Sequence, residues 1–417
     1  DGNLTVSGYA DGGELNAAGV AVFNGRIDEF QNLAGGKIEV YGENNGGRAN
    51  VIGVMAGGEE GYVGQIGNFT NEGSIIVTAK GVDEVTAFGV STTEYIGNFT
   101  NEGTIEVRAT ATNGTVEAAG VDVGSIGNLT NSGSITVSAN GTDYTEAYGV
   151  VADNIGDLTN SGLITGSANS EYTAYAYGVY AGYIGKFTSN GSIIVNATAT
   201  GGNATVYGVY AYDMGNFTNE GTIDVRATAA NGSAKAYGLY VDEDTINNFT
   251  NNGTIKVIAT GKDTEATGVY AVVLTEDLLN ESSGTIEVST IGEQSAKATG
   301  LYIEKAQTGS TILNKGIIDI SASSSSGTVN SFGIYLKDSE ITLINNGTIT
   351  VSASGNVDKV AGIYIVNSTV ELSNPGEIVV WGDVPSGNKL RTLYVDSGSN
   401  VTLRDKFAIT FGSPGTG

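Results

Sequence analysis

Residues 99–109 read Phe99-Thr100-Asn101-Glu102-Gly103-Thr104-Ile105-Glu106-Val107-Arg108-Ala109. After the Asn-x-Gly turn, Ile105, Val107 and Ala109 share one face of an extended segment while Thr104, Glu106 and Arg108 share the other. That is the period-two alternation of a half-buried strand. The phrase returns as FTNEGSIIV from Phe69, LTNSGSITV from Leu129 and FTNEGTIDV from Phe217. Its Gly recurs from Gly73 through Gly103, Gly133, Gly162 and Gly191 to Gly376 at intervals of 29 to 32 residues. The inward pair recurs with it, as Ile135/Val137, Ile223/Val225, Ile255/Val257, Ile286/Val288 and Ile349/Val351.

Between these phrases lies a second marker, x-Gly-Val/Leu/Ile-x. Its Gly stands at Gly89, Gly120, Gly149, Gly178, Gly208, Gly238, Gly268, Gly300, Gly333 and Gly362, with looser versions around Gly19 and Gly53. A second strand surrounds this marker, and a third, short one carries Ile-Gly-Asn-Phe ahead of the Asn turn. Three short strands in every repeat predict an all-β fold, a right-handed parallel β-helix (solenoid) of about twelve coils of about 30 residues. A propeller fits poorly, because its blades need four antiparallel strands and about 40 residues. The repeats fill the chain and predict a single domain: irregular first coils over 1–65, regular repeats over 66–381, and a final coil or terminal strands over 382–417.

Composition narrows the function. The 417 residues include no His and no Cys, which removes His- and Cys-based triads, Cys/His zinc sites and disulfides. With 45 Asp and Glu against 19 Lys and Arg, the net charge of −26 repels phosphate and predicts no nucleic-acid partner. No apolar run approaches the roughly 18 residues of a membrane-spanning helix, so no membrane insertion by these residues is expected. The chain starts at Asp1 rather than Met, which suggests a processed or trimmed product.

In a β-helix, equivalent positions of successive coils stack, so columns can be read directly. One holds Asn71, Asn101, Asn131, Asn160, Asn219, Asn251, Asn314, Asn345 and Asn374, with Ser189 and Ser282 in the gaps; it reads as a structural amide ladder at the turn. A second, two residues after the second marker Gly, holds Tyr180, Tyr210, Tyr240, Tyr270, Tyr302, Tyr335, Tyr364 and Tyr394. The aliphatic residue before each Tyr, such as Val179 or Leu239, is the interior candidate. Alternation then turns the rings outward, either as a self-stacking ladder or as an aromatic stripe for glycan or protein partners.

A third column holds Asp224, Lys256, Glu287 and Asp319, with Arg226 beside Asp224. Glu287 and Asp319 approach a spacing usable by a retaining glycosidase, but Lys256 next to them indicates an ordinary charge ladder. The expectation is that the protein is not an enzyme and holds no cofactor. Acidic patches at Glu59-Glu60 and Asp242-Glu243-Asp244 admit at most loosely bound calcium. There are 17 Asn-x-Ser/Thr sequons. Many belong to the repeat phrase, while Asn113, Asn140, Asn203 and Asn231 lie in variable loops and are the candidates for glycosylation.

Leu-Thr-Asn-Ser-Gly-Ser-Ile (129–135) and Ala-Tyr-Gly-Val-Tyr (176–180) resemble the repeats of bacterial autotransporter (type V secretion) passengers, over roughly residues 50 to 400. The resemblance implies a secreted β-helix at the cell surface, and such passengers include adhesins, aggregation factors and enzymes. A C-terminal membrane barrel and a Gly-Asp-Ser-Gly protease motif are both missing from these residues.

Two functions therefore lead. The first is a structural subunit of a cell-surface filament or layer, self-associating end to end through strands at Leu4 and Val6 and at Val401, Leu403, Phe407, Ile409 and Phe411. The second is an adhesin that meets glycans or surface proteins through the Tyr face. A polysaccharide-degrading β-helix enzyme is a distant third.

Overall fold

The computed structural model describes residues 2–57, 64–383, 390–404 and 410–411. It is an all-β parallel solenoid of about 13 coils of roughly 30 residues. Ile105 lies against Ile75 in the coil before and Ile135 in the coil after, in parallel register. The phrase count of about twelve falls one short. The strand Lys37–Asn44 follows a longer turn, 33–36, that hides the Asn-x-Gly spacing. Two compact units, residues 1–211 and 212–417, divide the chain.

In the first unit a coil consists of a short strand, such as Thr104–Ala111, a tight turn, and one long bent strand, such as Thr115–Asn131. The second and third strands read from sequence are thus one continuous, cornered strand. In the second unit the break moves. Thr285–Ala306, Ile317–Lys337 and Thr348–Val366 fuse the first two segments, and Thr311–Asn314, Glu340–Asn345 and Thr369–Ser373 stand apart. The later break coincides with residues at positive φ. Early turns carry Gly after the first segment (Gly114, Gly141, Gly201-Gly202), whereas later coils place Gly309, Asp338 and Asn367 at positive φ before the third.

The interior is a set of apolar columns. Phe69 stacks on Phe30 at 4.9 Å and on Phe99 at 4.7 Å, nearly parallel, and Phe69 has no exposed surface. Ile75, Ile105, Ile135 and Ile164 form another buried column. Each such side chain contributes about 2 kcal/mol on burial. A single coil cannot offset its own ordering entropy in this way, so the stack must be held together by its neighbours.

The Asn ladder points inward and is buried. In the first unit Asn32 Nδ2 donates to Asn71 Oδ1 at 2.8 Å, Asn71 to Asn101 at 2.7 Å, Asn101 to Asn131 at 2.7 Å and Asn131 to Asn160 at 2.8 Å. In the second, Asn219, Asn251, Asn280, Asn314, Asn345 and Asn374 repeat the chain at 2.7 to 2.9 Å. Asn280, not Ser282, holds the ladder position there. A turn lengthened to Glu281-Ser282-Ser283-Gly284 displaces the phrase by two residues. These Asn residues are not at positive φ; their carbonyls instead receive the turn amides of the next coil, as Glu102 N and Gly103 N bond Asn71 O at 2.8 and 2.9 Å.

The second marker Gly makes the corner. Both Gly89 and Val90 face inward, so alternation slips by one residue there and the wall of the coil is indented. A Cβ on Gly89 would stand 2.5 Å from Gly120 O and 2.5 Å from Ile105 Cγ2, which only Gly avoids. Outside the corner, the residue before the Gly and the residue two after it flank a notch that runs from coil to coil.

Candidate interaction surfaces

Tyrosines fill this notch over much of the molecule. In the first unit, Tyr180 and Tyr210 stack at 4.9 Å and 8°. In the second, Tyr240, Tyr270, Tyr302, Tyr335, Tyr364 and Tyr394 form a continuous stack with centroids 4.4, 4.9, 4.8, 5.1 and 4.3 Å apart. The interior residues are the aliphatic ones before them: Val179, Val209, Leu239, Val269, Leu301, Ile334 and Ile363 have no exposed surface.

A second aromatic column, on the near side of the Gly, is absent from the reading of the sequence. Tyr148, Tyr177 and Tyr207 stack at 4.8 and 5.1 Å, and their rings meet the first column edge to face, Tyr177 on Tyr180 at 5.3 Å and 81°. Tyr237 meets Tyr240 in the same way at 4.8 Å, and Phe332 meets Tyr335 at 5.3 Å. The signal was present in sequence, since Tyr148, Tyr177, Tyr207 and Tyr237 each stand directly before a marker Gly.

This packing decides what the Tyr columns present. Ring faces cover one another, so Tyr177, Tyr210, Tyr237 and Tyr364 fall below a tenth exposed and the other tyrosines of the two columns are part-buried. Burial raises the phenol of Tyr270 to about 12, with Glu304 adding to the shift, and raises that of Tyr364 to about 12, with Tyr394 adding to it. The phenols stay protonated. A flat stripe of ring faces, the surface a sugar ring would stack on, is largely used up internally.

The charge column forms as read: Asp224, Lys256, Glu287 and Asp319 are register partners. Lys256 Nζ holds Glu287 at 2.6 Å and Arg226 holds Asp224 at 2.9 Å, while burial and then Glu287 raise the carboxyl of Asp319. The lysine clamps one of the two carboxylates a glycosidase would need. Asp242, Glu243 and Asp244 occupy an irregular stretch between Val241 and Thr245; Glu59 and Glu60 lie outside the described residues. Among the described residues no group of three or more acidic side chains gathers in a way that could hold a metal ion.

The sequon candidates divide. Asn113, Asn203 and Asn231 are exposed, whereas Asn140 closes the strand Ser134–Asn140 and accepts from Asn169 Nδ2 at 3.0 Å.

The first described coil has a described neighbour on one side. Its strands Asn3–Ala10, Gly13–Val22 and Gly25–Asn32 pair only with Lys37–Asn44, Gly47–Ala56 and Gly64–Asn71 among the described residues. Its core side chains are correspondingly uncovered: Leu4 is 37% exposed where its partner Ile38 is 7%, and Phe30 is part-exposed where Phe69 has none. At the far end Val401 and Leu403 pair with Val370 and Leu372, and Thr410-Phe411 with Val379-Val380. Leu403 is 52% exposed where Leu372 has no exposed surface. The terminal strands thus cover their neighbouring coil and are themselves uncovered among the described residues. Phe407 and Ile409 lie outside those residues.

The notch also has an open stretch. Before Tyr148 its two flanks carry Ala18 and Ala21, Ile52 and Met55, Phe88 and Ser91, then Ala119 and Asp122. With Phe88 as the one ring on its flanks, the notch forms a groove of about 850 Å³ bordered by Phe23, which is 63% exposed. Beside its last coil stand Glu117 and Asp122. The indented wall raises Asp122 to about 6, with Asp153 adding to the shift, and Glu117 to about 7, with Asp122, Glu146 and Glu84 adding to it. Glu117 keeps more than a third of its surface in water, so screening moderates its shift and Asp122 is the better placed of the two.

Comparison with protein-family models, with curated proteins and with solved structures returned no match.

Proposed function

We propose that the protein is a non-enzymatic extracellular structural subunit whose coil ends stack on one another in a cell-surface filament or layer. The observation that carries this reading is that a coil's core is sealed by another coil lying in parallel register on it: Ile38 and Phe69, with a described coil on each side, are buried, whereas Leu4 and Phe30, with one described neighbour, are not. An open coil end is both an unpaired sheet edge and a cut core, the pattern that repeat proteins hide under a cap. Another coil would cover the apolar columns, and heterologous contacts of this kind give open filaments. The repeat phrases that resemble autotransporter passengers favour the extracellular setting.

The alternative is an adhesin passenger that binds glycan through its Tyr face. It is less well supported, because the rings spend their faces on each other. Light scattering across a concentration series, with and without calcium, tests the proposal. Mass rising with concentration supports stacking, and a constant monomer mass contradicts it.

A further inference from the structure

The open groove of the first coils lies apart from the coil ends in the stacking proposal and carries a separate inference. Its shape is known from the molecule's own use of it. Where Tyr177 and Tyr180 occupy the notch, two rings meet at 5.3 Å and 81°, and successive rings follow at about the coil spacing. From Ala18/Ala21 to Phe88/Ser91 the same notch carries one ring, Phe88, over about 10 Å, the length of two coil steps, and Asp122 and Glu117 follow one step beyond. Small side chains at Ala18 and Ala21, and flexible Met55, leave room for groups of ring size. At the groove's end the chemistry changes to acid. Asp122 takes the column position that Ser91 holds in the coil before, and Glu117 the position of Thr86.

The carboxylates have nothing basic to answer them. Glu84 is engaged by Arg48 at 3.1 Å and Glu146 accepts from Tyr144 at 2.6 Å. Glu117 and Asp122 have no cationic partner among the described residues and face Glu84, Glu146 and Asp153 instead. Asp122, held in the indented wall one coil beyond the apolar slot with the exposed Glu117 near it, is costly for the free protein and is relieved by an incoming cation. The charge of the site therefore selects its occupant.

We propose that this groove docks an extended segment of a partner protein, which lays aromatic side chains along Ala18, Ala21, Ile52 and Met55 and sets a lysine or arginine against Asp122 and Glu117. Rings supply the apolar contact that Tyr supplies elsewhere, and the cation fixes direction along the groove. The contact differs from stacking because it lies on the side of the coils, and it does not depend on whether copies associate.

The test uses the full chain and fluorescence anisotropy of three synthetic peptides. One alternates tyrosine with lysine, a second replaces lysine by glutamate, and a third replaces tyrosine by alanine. Saturable binding of the first, with at least roughly tenfold weaker binding of the other two, is the expected result. Ala18→Tyr with Ala21→Tyr extends the ladder into the slot and should abolish binding. Asp122→Asn, which leaves the apolar walls intact, should weaken it several-fold, and circular dichroism checks that each variant is folded. Three results would overturn the proposal: no saturable binding of the tyrosine-lysine peptide at millimolar concentration, equal binding of the alanine-lysine peptide, or binding unchanged by Asp122→Asn. The second would reduce the interaction to attraction by net charge.

Discussion

Asn101 donates its side-chain amide to the Oδ1 of Asn131 at 2.7 Å and accepts the amide of Asn71 at the same distance, with no part of it exposed. Each ladder amide is therefore donor to the next coil and acceptor from the last. Loss of one member strands a buried group on both sides. Asn101→Ala should destabilise the fold by about 2–4 kcal/mol, the cost of two orphaned partners. Asn98→Ala, three residues away on the exposed face, should change it by less than about 0.5 kcal/mol. Urea unfolding followed by circular dichroism distinguishes them.

The corner glycines make a second test. Gly89→Ala drives a methyl into Gly120 O and Ile105 Cγ2 and should cost about 1–3 kcal/mol. Gly201 is exposed and its nearest neighbour would be 3.1 Å from an added Cβ. Gly201→Ala should be milder in the same assay.

The tyrosine stack can be dissected by ring and by hydroxyl. Tyr335 stacks between Tyr302 at 4.8 Å and Tyr364 at 5.1 Å. Tyr335→Ala should lose about 1–3 kcal/mol from two stacked contacts, beyond the area exposed, and diminish the near-ultraviolet dichroism of the column. Tyr335→Phe keeps both contacts and should be close to neutral. A Phe variant as damaging as the Ala variant would mean that the hydroxyl, not the ring, is the important group.

Asp122 gives stability a pH dependence of unusual sign. Its carboxyl is raised in the folded protein to about 6, so the folded state binds the proton more tightly than the unfolded chain. The resulting stabilisation is complete below the unfolded value near 4 and disappears as pH rises through about 6. Asp122→Asn should therefore raise Tm at pH 8 and have little effect at pH 4. The gain should be on the order of 2 kcal/mol, after allowing for partial solvent screening. An equal effect at both pH values would contradict the assignment.

Most of the fold was legible because a solenoid writes its geometry as periodicity. The inward pair Ile105/Val107 and the outward Glu106/Arg108 could be assigned from alternation alone, and the stacking columns followed. The inversion at the corner was not fully legible. Alternation predicts that Gly89 and Val90 face opposite sides, whereas the bend turns both inward, and only this bend brings Tyr177 and Tyr180 into one notch. The slip from Ser282 to Asn280 was hidden for a similar reason, since a lengthened turn preserves the Gly spacing while moving the Asn. The acids at Glu117 and Asp122 look like ordinary surface charge in a chain of net charge −26. Only the indentation of the wall distinguishes them.

The central claim, that one coil end covers the other, can be tested by cross-linking because the chain contains no Cys. Glu29 and Thr402 are exposed and each stands one residue before a core position of its coil, Phe30 and Leu403. In a head-to-tail stack the two positions come into one outward column, at a spacing of about 5 Å that a disulfide spans. Glu29→Cys and Thr402→Cys chains, mixed and oxidised at a concentration where mass has increased, should give a mixed disulfide well in excess of either homodimer. A statistical mixture of the three dimers, or no cross-linking at any concentration, would contradict end-to-end stacking.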